Sequence, residues 1–150
     1  MRASRILVVR CLCAAGAMVL AACADIAEKT PTSNTAAAKA ETDPWTASTS
    51  AAARKNPLPM NPATIAAGKA IYAQQCSVCH GASGKGNGPA APAFSVPVAD
   101  LTSSKVQQQS DGALFWKIGE GHSPMPSFSS ILPAQQRWEV VDYIRSLRGQ

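Results

Sequence analysis

The chain has 150 residues, of which 46% are apolar. Because 28 of the apolar residues are alanine, whose side chain is small, the chain can form only a single small hydrophobic core. The formal net charge is +5, but three of the arginines lie within the first ten residues. From residue 23 onward the chain carries eleven basic and nine acidic side chains without a basic cluster, which argues against a nucleic-acid-binding protein.

The first 22 residues have the pattern of an export signal. Arginines precede the apolar run CLCAAGAMVLAA, which is shorter than the roughly 20 apolar residues that a membrane-spanning helix needs. The run ends in LAAC, similar to the lipobox of bacterial lipoproteins, which predicts a signal peptide over 1–22 and lipidation of Cys23. Cleavage at the A-x-A sequence of residues 22–24 is the alternative, and it would release an unanchored periplasmic protein.

Residues 23–60 are rich in Ala, Thr, Ser and Pro and predict a disordered tether. Between residues 24 and 58 the only large apolar side chains are those of Ile26, Trp45 and Leu58, too few to offset the entropy of ordering the segment. Trp45 is either a docking anchor or, as is usual for a solitary aromatic residue in a polar segment, incidental.

A folded domain is predicted over residues 61–150. Asn61 is a good helix N-cap and Pro62 a good first helical residue, so a helix begins here and runs toward the cysteines. Ile65, Gly68 and Tyr72 share one face of that helix. Gly68 weakens the helix by about 1 kcal/mol relative to alanine, which indicates that another backbone or a ring approaches closely there.

The sequence CSVCH, residues 76–80, concentrates two of the chain's five cysteines and one of its two histidines. Composition alone would produce C-x-x-C-H about 0.002 times in such a chain. A zinc site needs four ligands, and outside the predicted signal only Cys23 and His122 remain as further cysteine or histidine ligands. A thioredoxin-like dithiol opens a helix among β-strands, whereas this pair ends a helix.

Haem attachment accounts for all three residues of the motif. Cys76 and Cys79 predict thioether bonds to the two vinyl groups of one haem c, and His80 is the predicted axial ligand of its iron. The haem also supplies the large apolar body that the following glycine- and proline-rich loops can enclose.

The second axial ligand is expected in the loop HSPMPSF, which follows a short predicted helix, Asp111 to Ile118, capped by Ser110 and stopped by Gly119. Met125 is the predicted ligand, because the prolines on either side of it stiffen the loop. His122 is the competing ligand. A last helix is predicted from about residue 133 to 147, and no segment alternates as a strand would.

Residues 61–150 resemble the class I c-type cytochromes, specifically small bacterial monohaem cytochromes c. The resemblance rests on AAGKAIYAQQCSVCHG leading into GKGNGPAAP, then DGALFWKIGEGHSPMPSF and RWEVVDYIRSL, in the family's order. It implies an all-α cytochrome c-like fold, with three to four helices and long loops around a covalently bound haem. Its first and last helices would cross with Gly68 and Tyr72 against Tyr143. It also implies that the carbonyl of Pro89, or alternatively of Pro92, accepts a hydrogen bond from the second ring nitrogen of His80.

These features predict a periplasm-facing electron carrier rather than an enzyme. One haem c with His/Met ligation would cycle between Fe2+ and Fe3+ and pass single electrons between membrane-associated redox proteins, with no small-molecule substrate. Two alternatives remain open. In the first, the chain is a dedicated subunit through which electrons reach an oxidase, reductase or dehydrogenase. In the second, the sixth coordination site of the iron is open, and the chain is a haem-based ligand sensor or a peroxidase-like protein.

Overall fold

The computed structural model describes residues 45–150. The predicted signal peptide, Cys23 and residues 24–44 of the predicted tether lie outside the described residues. The described part is helical, and its α-helices are α1 Thr49–Ala52, α2 Pro62–Gln75, α3 Ser77–His80, α4 Ser104–Gln107, α5 Asp111–Glu120 and α6 Ala134–Ser146. No strand occurs in residues 45–150, so the predicted all-α class is confirmed. None of these helices is long and apolar enough to cross a membrane.

Helix α2 begins as its sequence predicts. The Asn61 side chain accepts hydrogen bonds from the amides of Ala63 and Thr64, and the Thr64 hydroxyl accepts one from the Asn61 amide at 3.1 Å. This reciprocal cap satisfies amides that have no partner within the helix, and Pro62 stands at the first helical position, where its missing amide costs nothing. The start of the domain's first long helix is therefore encoded locally.

The close crossing of α2 over α6 forms the centre of the core. A methyl group on Gly68 would overlap the carbonyl oxygen of Glu139 and stand 3.1 Å from Tyr143 Cβ. One turn further along α2, the rings of Tyr72 and Tyr143 meet with centroids 4.9 Å apart, tilted by 56°. The predicted crossing is confirmed, and glycine is required there because the two backbones touch.

Helix α5 closes the other side of the core. Ser110 caps it, accepting a hydrogen bond from the Ala113 amide, as predicted. The helix continues to Glu120 and ends at Gly121, whose φ is +68°, so the predicted stop at Gly119 is two residues too early. Phe115 stacks on Trp138 of α6 at a centroid distance of 4.0 Å. Burying each of these large rings contributes roughly 1.5–3 kcal/mol to stability.

The predicted tether differs from the structure over residues 45–60, which belong to the same compact unit as the rest of the described chain. Helix α1 lies against the start of α5: the Ser110 hydroxyl donates to the Ala52 carbonyl at 2.6 Å. The carbonyls of Ala51 and Arg54 approach the backbone of Gly112 so closely that a Cβ at this position would overlap them. These contacts use backbone carbonyls and a missing side chain, and for that reason the polar composition of the segment did not predict them.

Two further side chains of residues 45–60 attach the segment to the core, one to α6 and one to α5. The Asn56 amide donates to Asp142 Oδ1 at 2.7 Å, and the Arg54 guanidinium lies 4.5 Å from the centroid of the Phe115 ring. Burial raises the pKa of the Asp142 carboxyl, while the hydrogen bond from Asn56 opposes that rise. Residues 45–60, which we call the strap, are thus fixed to both helices.

The crossing predicts that Gly68→Ala destabilises the protein although alanine favours helix. The added methyl must separate α2 from α6, so we expect the free energy of unfolding to fall by about 2 kcal/mol, measured by denaturant titration of the holoprotein. Lys69→Ala, at an exposed position of the same helix, is the control and should change stability by less than about 0.5 kcal/mol. Increased stability in Gly68→Ala would show that the helices do not touch at this point.

Candidate functional site

The two cysteines and the histidine of CSVCH lie on one short turn that begins where α2 ends. Cys76 stands at the junction of α2 and α3, and its carbonyl accepts hydrogen bonds from the amides of Cys79 at 3.2 Å and His80 at 2.9 Å. Both cysteines are free thiols and partly buried. The turn therefore presents two thiols and one imidazole from consecutive positions of a single helical turn.

The environment of Cys76 does not suit a dithiol redox catalyst. Burial, together with the neighbouring Cys79, raises the pKa of the Cys76 thiol to about 12. Catalytic dithiols need a lowered pKa so that a thiolate exists at neutral pH. Within residues 45–150, no three His, Cys, Asp or Glu side chains are grouped so that they could hold a metal ion. Of the three interpretations of the motif, haem attachment remains the best match.

The imidazole of His80 is held through its Nδ1 atom. This atom lies 3.0 Å from the carbonyl oxygen of Ala99. A carbonyl oxygen can only accept, so Nδ1 carries the proton and the lone pair of Nε2 is left for another partner. Burial lowers the pKa of the His80 imidazole and so favours its neutral form, and the bond to Ala99 opposes that shift in part. Neutral imidazole is the form that binds a metal.

The proline carbonyl implied by the resemblance is therefore wrong as the partner of His80. Pro89 instead lies between two residues that bind α3, because the Gly88 amide donates to the Cys79 carbonyl and the Ala90 amide to the Val78 carbonyl. Pro92 lies in the short 3₁₀ turn Ala91–Ala93 that follows. The acceptor comes from a later segment, and a backbone carbonyl leaves no trace in the sequence that could have identified it.

The glycine-rich loop after His80 caps the whole of α3. The four carbonyls of the turn each accept one hydrogen bond of 2.8–3.0 Å from a loop amide, pairing in order Ser77 with Gly81, Val78 with Ala90, Cys79 with Gly88 and His80 with Gly86. Gly81, Gly84 and Gly86 have φ values of +78°, +79° and +73°, which side-chain-bearing residues rarely adopt. Such complete satisfaction of the backbone makes the short turn rigid.

The loop after α5 places the side chains of Met125 and His122 in different surroundings. Each of these residues donates its amide to the other's carbonyl, at 2.9 and 2.7 Å, so the chain reverses between them. Met125 is partly buried and packs against the hydrophobic core. His122 is exposed, and its ring stacks on Trp45 with centroids 5.5 Å apart. The surroundings of Met125 are those of a side chain directed into the domain, whereas His122 contacts the strap.

A family model described as cytochrome c oxidase, cbb3-type, subunit III matches residues 63–144, which is more than half of the chain. The chain belongs to this family of c-type cytochromes. It is a small cytochrome with one haem-binding motif, and the family membership implies a covalently bound haem c.

Two solved structures are similar to this cytochrome. One is the Kuenenia stuttgartiensis reducing HAO-like protein complex Kustc0457/Kustc0458, with 32% identity and a TM-score of 0.55 over 61% of this chain and 47% of that chain. The cytochrome thus spans about half the length of that relative. The other is the KustC0563 c-type cytochrome, with 23% identity and a TM-score of 0.48 over 54% of this chain and 96% of that one. A comparison with curated proteins gave no match.

The residues present fit haem c. Two free thiols three positions apart match the two vinyl groups of one porphyrin, and a neutral imidazole with its Nδ1 proton engaged has the tautomer that an Nε2 iron ligand requires. A half-exposed Val78 between the cysteines adds an apolar side chain to the same surface. The sequence located these groups, whereas Ala99 and the contact between Trp45 and His122 emerged only from the fold.

Tyr72 links the haem-binding turn to the helix crossing and provides a test of the site's rigidity. Its buried hydroxyl donates to the Gly81 carbonyl at 2.7 Å. Tyr72→Phe removes this bond and leaves the Gly81 carbonyl with the Gly84 amide, 3.1 Å away, as its donor, so we expect the free energy of unfolding to fall by about 0.5–1.5 kcal/mol.

Tyr143→Phe is the matched control for this measurement. The described part of the chain provides no hydrogen-bond partner for the Tyr143 hydroxyl, so its removal should cost less than the Tyr72→Phe change does. Equal losses in the two variants would mean that the bond to Gly81 contributes nothing specific. Both stabilities are measured by denaturant titration of the haem-loaded protein.

Proposed function

We propose that this cytochrome is a periplasm-facing electron carrier in which Cys76 and Cys79 bind haem c covalently and His80 and Met125 are the axial ligands. The observation that carries the proposal is the rigid CSVCH turn, whose two free thiols adjoin an imidazole already held by Ala99 through Nδ1. The family membership supports haem-based electron transfer. When bound, the haem supplies an iron that exchanges one electron between Fe2+ and Fe3+.

Electron transfer needs from the protein a fixed ligand geometry in both oxidation states. The capped turn and the Ala99 bond hold the imidazole without help from the solvent. The core contacts of Met125 favour its thioether over His122 as the second ligand, because the ring of His122 is already stacked on Trp45. Two protein ligands leave no open position for a substrate, and a methionine opposite a histidine raises the reduction potential.

Met125→Ala tests the proposed ligand set. The ferric wild-type protein should show the weak long-wavelength absorption band of methionine-ligated haem, and the variant should lose the band and have a lower reduction potential, because the thioether favours the ferrous state. Absorption spectra and a redox titration of the purified proteins measure both effects.

His122→Ala is the control for this experiment, and it should retain the band. If His122 were the ligand, the ferric wild-type protein would lack the methionine band, and His122→Ala rather than Met125→Ala would change the spectrum and the reduction potential. High-spin features, or rapid binding of carbon monoxide to the reduced wild-type protein, would instead favour the sensor or peroxidase-like alternative with an open sixth site.

A second candidate function is that of a dedicated subunit through which electrons enter a larger redox enzyme. The similarity to the structure from Kuenenia stuttgartiensis favours this function, because that structure is a protein complex. This cytochrome corresponds to 47% of the matched chain of the complex. Purification in mild detergent distinguishes the two functions. A stoichiometric partner that stays bound through the purification supports the dedicated subunit, and a cytochrome that elutes alone supports the shared carrier.

We further propose that the signal ending in LAAC leads to lipidation of Cys23 on the periplasmic side of a bacterial membrane. Two or more acyl chains anchor a protein stably, whereas one does so only marginally. An anchored domain has a raised effective concentration near membrane redox proteins without any new contact. The partners proposed on this basis are membrane-associated redox proteins.

Cys23→Ala tests the anchor. The variant should move from the membrane fraction to the soluble fraction after cell breakage, because the acceptor of the lipid is gone. Cys13→Ala, which changes another cysteine of the predicted signal, is the control and should stay in the membrane fraction. A Cys23→Ala protein that remained wholly with the membranes would show that something other than this lipid holds it.

A further inference from the structure

The strap reaches the loop that carries Met125, and the contact is made by one aromatic residue. The partly buried Trp45 ring stacks on His122 at a centroid distance of 5.5 Å and an interplanar angle of 27°. The ammonium group of Lys117, on α5, lies 4.7 Å from the centroid of the same ring. Trp45 therefore bridges the helix that precedes the loop and the first residue of the loop's reversal.

Trp45 is itself held in place by the rest of the strap. Downstream of it, the Ser48 side chain caps α1, and the Ala52 carbonyl at the end of α1 accepts the hydroxyl of Ser110. The close approach of the α1 backbone to Gly112 fixes the strap against α5 over several residues. The indole is thus delivered to the loop by a fixed segment, and its stacking does not have to order a free chain.

His122 and Met125 are joined directly through their backbones. The two residues exchange both backbone hydrogen bonds, so the position of one is tied to that of the other at this reversal. The other side of the loop is fastened to α5, because the Phe128 amide donates to the Ile118 carbonyl at 3.1 Å. The side that begins at His122 has Trp45 as its ring partner, and loss of that partner leaves this side of the loop less restrained.

We propose that Trp45 is a positioning residue that holds the Met125 loop closed over the haem, so that a residue of the predicted tether controls how readily the sixth ligand is displaced. This inference rests on the proposed ligation by Met125. A stacked aromatic pair contributes about 0.5–1.5 kcal/mol beyond its buried area, which corresponds to a change of roughly twofold to tenfold in the opening equilibrium of the loop.

The test uses the full haem-loaded protein with Trp45→Ala, Trp45→Phe and Arg54→Ala variants. The rate at which imidazole replaces the native ligand of the ferric protein reports how often the loop opens. We expect this rate to rise about twofold to tenfold in Trp45→Ala and to return toward the wild-type value in Trp45→Phe, which retains an aromatic ring. Hydrogen exchange of the Met125 amide, bonded to the His122 carbonyl, should accelerate in the same order.

Arg54→Ala is the matched control, because Arg54 belongs to the strap but lies over Phe115 instead of contacting the loop. It should lower the stability of the protein without accelerating imidazole binding. Equal acceleration in Arg54→Ala and Trp45→Ala would overturn the inference in favour of general destabilisation, and unchanged rates in Trp45→Ala would overturn it outright.

The two proposals fail in different ways. If the wild-type ferric protein lacks the methionine band, the ligand assignment fails, while exchange of the Met125 amide still reports whether Trp45 restrains the loop. If the band is present and neither imidazole binding nor amide exchange responds to Trp45→Ala, ligation by Met125 stands and the positioning role of Trp45 is wrong.

Discussion

The contact between the backbones of α2 and α6 at Gly68 is the constraint on which the rest of the structure depends. Because the Glu139 carbonyl leaves no room for a side chain, the crossing point along α2 is fixed. One turn later, Tyr72 packs on Tyr143 and donates its hydroxyl to Gly81, beyond the haem-binding turn. Since CSVCH follows α2 without an intervening loop, the placement of Cys76 and His80 is inherited from the helix crossing.

The haem-binding turn is made rigid by backbone groups, which solves a problem specific to a short helix. A four-residue helix has almost no internal hydrogen bonds, so its carbonyls must find partners elsewhere. The following loop supplies an amide to each of them, and its three glycines with positive φ allow backbone conformations that other residues rarely adopt. Residues 45–150 contain no strand, and the loop amides give the carbonyls around the cofactor motif the hydrogen bonds that a sheet would otherwise provide.

The sequence predicted the features that side chains encode and missed those that backbone groups encode. Asn61 identified the start of α2, and Gly68 identified the crossing by the side chain it lacks. The carbonyl of Ala99 has no such signature, so the acceptor for His80 was assigned to a proline that instead stands between two amides bonded to α3. The strap was predicted to be disordered from its low hydropathy. Its contact with α5 is made by backbone carbonyls against Gly112, which has no side chain, and hydropathy does not register such a contact.

The two proposed iron ligands are held by different means, and this asymmetry bears on how the cytochrome can be tuned. His80 lies next to the proposed thioether cysteines on a fully capped turn, so its position cannot change without disrupting that turn. Met125 lies on a loop fastened to α5 on one side and contacted by Trp45 on the other. On the proposed role of Trp45, sequence changes in the strap would alter the ease of opening on the methionine side while the histidine side and the proposed thioether links are retained. With Met125 as the proposed ligand, a segment outside the predicted cytochrome domain would then influence the ligation on which the reduction potential depends.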